Sequence, residues 1–157
     1  MAEGEFALVR QHLEAALGKT ASWVGEHDLY AMLADAAAQQ RDEAGLQQYA
    51  PLAEEAAARY EHKLYQAIAH RAWGVGHGLA GEPAEAEARL NRALELFREL
   101  DTRWQIGRTL FELGELARTQ NDTVEAREHH TLALAAFEDM QAAPDAARTR
   151  AILEALA

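Results

Sequence analysis

The chain contains no cysteine and only two lysines, Lys19 and Lys63, among its 157 residues. Without thiols there is no disulfide framework, no thiolate metal site and no thiol catalysis, a pattern that suits a reducing cytoplasm. No apolar run approaches the length needed to span a bilayer, and the acidic start Met1-Ala-Glu-Gly-Glu5 lacks the basic-then-apolar order of a signal peptide. A soluble, cytoplasmic protein is therefore expected. Positive charge is scarce: 15 Lys and Arg stand against 26 Asp and Glu, a formal charge of −11 with no basic cluster. Such a surface repels phosphate backbones and anionic lipid, so neither nucleic acid nor membrane is expected as a direct partner. Val, Ile and Thr are few and no segment alternates strictly, which leaves little from which to build a sheet. No Ser-His-Asp or metalloprotease spacing occurs, and the expectation is a protein that is not an enzyme and needs no cofactor or metal.

What the chain does have is self-similarity at a step of forty residues. Gly81-Glu82-Pro83, Ala86, Ala93 and Phe97 are answered by Asn121-Asp122-Thr123, Ala126, Ala133 and Phe137. One step back lie Arg41-Asp42-Glu43, Leu46, Ala53 and Ala57, and a further step reaches Phe6, Leu13 and Leu17. A fixed period of about twenty to fifty residues marks an array in which each unit buries its apolar face only against its neighbours. Leu64, Ile68, Trp73, Val75 and Leu79, then Ala86, Leu90, Ala93, Leu94, Phe97 and Leu100, carry the three-to-four spacing of amphipathic helices on both sides of a turn. Alanine, the best helix former, is the commonest residue. Pro83 and Pro144 suit helix starts, and Asp122 with Glu125 and Thr102 with Gln105 read as capping boxes.

Each unit is thus a helix A, a short turn and a helix B. The spacing predicts a half unit over about 4–18, full units over about 22–61, 62–101 and 102–141, and a terminal half unit or capping helix over about 144–157. The whole chain reads as one all-α array of seven or eight helices. The terminal helix, with Ile152, Leu153 and Leu156, is expected to leave apolar surface open and to give a weak tendency to form a homodimer.

The pattern Trp73-Gly74, His77, Gly81, Ala86, Leu90, Ala93 resembles the tetratricopeptide repeat: a large residue and Gly in helix A, a turn Gly, and two alanines seven apart in helix B. Leu113-Gly114, Ala117, Asn121-Asp122, Ala126 and Ala133-Leu134 match it again, and Leu33-Ala34, Ala37, Leu46 and Ala53 match it less fully. The resemblance implies a right-handed α-solenoid of antiparallel helix pairs that binds a protein or peptide on the concave face of its A helices. Ala34, Gly74, Gly114, Ala53, Ala93, Ala133, Phe97 and Phe137 would then be packing positions between the helices. The forty-residue unit is similar to the longer repeats of large bacterial signal-transduction regulators, which offers a second reading as a ligand-sensing or self-assembly segment of such a regulator.

Family members that clamp a C-terminal carboxylate resemble one another in carrying Lys and Asn on the inward face of helix A. Here the matching positions hold Ala31, Met32 and Asp35, then Arg71, Ala72 and Val75, then Phe111, Glu112 and Glu115. Acids stand where the Asn pair would be. The candidate partner-binding residues are Met32, Asp35, Ile68, Arg71, Val75, Leu79, Arg108, Glu112 and Glu115, with Glu112 and Glu115 favouring a basic residue in the bound segment. Gly74-Val75-Gly76-His77-Gly78 lacks the strand and the Lys-Ser/Thr pair of a phosphate loop and reads as helix packing. His70 and His77 lie too far apart along a helix to share one metal and read as part-buried core residues. His129 and His130 read as a surface residue paired with Glu125 and a core-edge residue.

Overall fold

The computed structural model describes residues 3–19 and 25–156. Among them are eight helices and no strand: α1 (Glu3–Lys19), α2 (Glu26–Gln40), α3 (Glu43–Arg59), α4 (Lys63–Leu79), α5 (Pro83–Glu99), α6 (Arg103–Thr119), α7 (Thr123–Asp139) and α8 (Ala143–Ala155). The expected start of the first full unit near residue 22, and the packing of Phe6 and Leu17, lie outside the described residues and side chains.

The turns repeat at half the interval visible in the sequence. Arg41, Glu61, Gly81, Asp101, Asn121 and Gln141 all have positive φ, between 49° and 77°. After each, an amide reaches back to a carbonyl five residues earlier, as in Asp42 to Ala37, His62 to Ala57 and Ala142 to Phe137. This is the Schellman closure, in which one left-handed residue ends a helix and satisfies carbonyls that the last turn would leave open. The two expected capping boxes come out differently. Asp122 accepts from the Glu125 amide at 2.9 Å, as a capping box requires. Thr102 makes no cap bond; its hydroxyl donates to the Phe97 carbonyl at 3.1 Å, so the Schellman turn takes the group that the capping box would have used.

Helices pair in sequence, α2 with α3, α4 with α5 and α6 with α7, and α2, α4 and α6 lie side by side. Within each pair the closest approach is matched in volume. Ala34 and Ala50 in the first pair are both fully buried. Forty residues on, a Cβ added at Gly74 would fall 2.6 Å from Leu90 Cγ, and one at Gly114 would fall 2.8 Å from the His130 ring. Where helix B enlarges from Ala to Leu or His, helix A gives up its methyl, which keeps the helix spacing without overpacking. Ala53, Ala93, Ala133 and Phe97 have no exposed surface, and Phe137 has 1%. One ion pair also recurs in register: Lys63 with Glu99 at 3.0 Å, and Arg103 with Asp139 at 2.6 Å, each tying the start of an A helix to the end of its B helix.

The ends of the array are anchored by polar contacts. Arg10 of α1 meets Asp42 at 2.6 Å and Glu14 accepts from Tyr49 at 2.5 Å, while Leu13 packs on the first core. At the other end α8 lies on α7 and reaches α6, where Trp104 donates to Asp145 at 3.1 Å and the Arg148 guanidinium sits over the Phe111 ring. Ile152 packs on the C-terminal core; Leu153 and Leu156 are half-buried, and the Leu156 carbonyl accepts from Arg127. No described helix is long and apolar enough to cross a membrane.

Candidate partner-binding face

The face shared by α2, α4 and α6 is organised around Asp35. Its carboxylate, 19% exposed, accepts from Arg71 Nη2 of α4 at 2.8 Å and from Arg108 Nη1 of α6 at 2.9 Å. One acid of the first helix pair thereby holds residues of the next two. Burial alone would raise the Asp35 pKa, but the two guanidiniums beside it outweigh that and hold the carboxyl well below the usual carboxylate range. Arg71 is 1% exposed and lies over the Phe97 ring with its guanidinium carbon 5.0 Å from the centroid. Burial and the positive charge of Arg108 push its pKa down to about 10, with Asp35 pulling the other way, so it stays charged at neutral pH.

This arrangement buries part of the expected contact set. Arg71 is the largest fully buried side chain among the described residues, and Arg108 (8%), Ile68 (8%) and Val75 (4%) are also buried. All four lie on the A helices α4 and α6, and the charge of Arg71 and Arg108 is directed at Asp35. Both are held inside the face by that carboxylate. Met32 (52%) and Leu79 (37%) are the exposed apolar members of the expected set.

Glu112 and Glu115 border a cleft of about 130 Å³ between α4 and α6, with Arg41, Val75, Leu79, Leu116 and Thr119 around them. Arg41, absent from the expected set, reaches from the α2–α3 turn to Glu112 at 2.6 Å. Glu115 pairs with Arg118, one turn on, at 2.8 Å, and its Oε1 lies 3.2 Å from His130 Nε2, although the angle there falls short of a hydrogen bond. Burial would raise the Glu115 pKa; His130 and Arg118 outweigh it and bring it down to about 2. His130 is fully buried, edge-on to Phe111 at 5.1 Å, whereas His129 sits 3.5 Å from Glu125 at the surface.

Two histidines of α4 also pack on or pair with neighbours. His77 stacks on Trp73 at 5.5 Å and meets Glu82 at 2.6 Å, while His70 is hydrogen-bonded with Arg89 at 3.0 Å and has its pKa lowered by burial and by that arginine. Trp73 and His77 border a second cleft of about 240 Å³ between α3 and α4, with Glu43, Leu46 and Gln47 opposite. No group of three or more described His, Asp or Glu side chains is placed to hold a metal ion.

No curated protein matches the chain. Residues 65–139, from the first turn of α4 to the end of α7, match the tetratricopeptide repeat family model. Repeats of this family generally mediate protein–protein interactions, as scaffolds without catalysis of their own. The matched residues 65–139 are thus tetratricopeptide repeats, two helix pairs set in a longer run of helices joined by the same turn.

Proposed function

We propose that the chain is a non-catalytic scaffold that binds a protein segment along the concave face of its A helices. The carrying observation is the cleft between α4 and α6, where the apolar side chains of Val75, Leu79 and Leu116 lie beside Glu112 and Glu115. An apolar floor bordered by a few fixed charges suits an amphipathic helix or an extended peptide, the floor supplying affinity and the charges selecting orientation. Met32 on α2 and Leu79 in the cleft add exposed apolar area to the A helices.

The test uses the intact chain as bait together with Met32→Asp and Leu79→Asp variants and, on α7, Val124→Asp at a residue 78% exposed. A partner captured by the native chain is expected to be lost with the first two variants and kept with the third. A partner that is retained by the first two and lost with Val124→Asp would move the docking surface to the B helices.

A further inference from the structure

The cleft contains a guanidinium that belongs to the chain itself, and its geometry bears on what the cleft selects. Three carboxylates lie on this face, and two are held from within. Asp35 is gripped by Arg71 and Arg108, both nearly inaccessible, and Glu115 by Arg118 of its own helix. Glu112 differs. Its side chain is 11% exposed, and its one ion pair among the described residues is with Arg41, whose side chain is one-third exposed and starts from a turn two helices away. Arg41 is also the left-handed residue that ends α2, at φ 56° and ψ 34°. Its backbone conformation is set by the turn and owes nothing to the pair, so the side chain can leave while the turn stays closed.

We propose that Arg41 is an intramolecular stand-in for an arginine of the bound segment, and that binding exchanges one guanidinium for the other at Glu112. This rests on the cleft being the docking site. With Arg41 in place the face holds four guanidiniums, those of Arg41, Arg71, Arg108 and Arg118, against the carboxylates of Asp35, Glu112 and Glu115. Exchange preserves that balance and keeps the part-buried Glu112 paired throughout. A neutral side chain in its place would leave the carboxylate desolvated and alone. The planar fork of an arginine also matches a carboxylate better than an ammonium does. The native chain carries a cost for the closed pair: if Arg41 occupies Glu112 about nine-tenths of the time, the apparent affinity for a competing guanidinium falls about ten-fold.

The experiment titrates the native chain and an Arg41→Gly variant with the blocked peptide acetyl-Leu-Ala-Arg-Ala-Leu-amide, following backbone amides by NMR. Glycine suits the left-handed turn and removes only the side chain; Arg41→Asn, which also tolerates that conformation, is the second variant if the first perturbs the fold. The expected result is binding about ten-fold tighter to the variant, with shifts at Val75, Leu79 and Leu116. The gain should disappear with a citrulline peptide, and also when Glu112→Gln is added to the variant. Equal affinity of native and variant chains for the arginine peptide, or stronger binding of a glutamate peptide to the native chain, overturns the exchange. If arginine and citrulline peptides both shift the cleft residues equally, the exchange is overturned while the docking site stands. Shifts confined to the α3/α4 cleft, or no shifts at all, overturn both.

Discussion

The two halves of the array are packed with different side chains, and the difference decides where a cleft can form. In the N-terminal core seven of eleven buried residues are alanine, among them Ala34, Ala37, Ala69 and Ala72; in the C-terminal core three of ten are, and Leu and Phe take their place. Small side chains let helix backbones approach, and α2 lies closely along α4. On the other side of α4, α6 touches it at only a few points, with the cleft between them. The alanine content that favours these helices thus coincides with the closer of the two seams between A helices. Polar reach compensates on the wider side: Arg41 and Arg108 cross to α6 or from it, over distances that methyl groups cannot bridge.

The strongest way to break this comparison is to remove the acid that spans both seams. Asp35→Asn strands the Arg71 guanidinium in the interior, and leaving one member of a buried pair unpaired costs about 3–5 kcal/mol. Urea denaturation of the variant should show a loss of that order, and a loss below about 1 kcal/mol would mean that the pair is solvated in practice. The acid side of the pH profile follows from the same group and from Glu115, both with depressed pKa values. A depressed carboxyl contributes stability above its unfolded pKa, so stability should be constant at neutral pH and fall as pH drops from about 4.5 through about 2. In Asp35→Asn the fall should be shallower.

How far the sequence revealed this molecule depends on the separation of the interacting residues. The forty-residue register, the helix pairs and the packing roles of Gly74 and Gly114 are periodic, and periodicity is visible in a single chain. The pairs Asp35–Arg71 and Asp35–Arg108 are separated by 36 and 73 residues and occur once, so no repeat announces them. A signal was nonetheless present: Arg71 stands at a position filled by Ala31 and Phe111 in the other units, a charge in an apolar column that needs a buried partner. Arg41 gives no such signal, because the turn position that it fills holds Gly81 and Asn121 in the later units and carries no recurring side chain.

A finer probe compares glycines of one helix. Gly74→Ala brings a Cβ within 2.6 Å of Leu90 Cγ and 3.1 Å of the Ala86 carbonyl, whereas at Gly78 the nearest atom is Leu116 Cδ1 at an ordinary 3.7 Å. Overpacking at the first should cost about 1–3 kcal/mol, outweighing the helix propensity gained. The second should be stabilising by up to about 1 kcal/mol, because only propensity changes. If the two variants have equal denaturation midpoints, the spacing of α4 and α5 is not fixed by the Gly74 contact.

The smallest expected effect lies in the turns and serves as the control for the comparison of halves. Five of the six left-handed turn residues are not glycine: Arg41, Glu61, Asp101, Asn121 and Gln141, while only Gly81 is. A side chain in this conformation costs about 1–2 kcal/mol per residue through its Cβ, and replacing it with glycine returns part of that while increasing the entropy of the unfolded chain. Glu61→Gly and Gln141→Gly should therefore each raise stability by about 0.5–1 kcal/mol. Their φ values, 51° and 54°, are nearly the same, and neither side chain has a role in the cleft. The gains should accordingly be equal, although one turn lies beside the alanine-rich core and the other beside the core of Leu and Phe. Thermal or chemical denaturation of both variants reads this directly. A gain at one turn and a loss at the other would show that the closure is strained differently in the two halves, and the contrast between them would then reach beyond the packing of their cores.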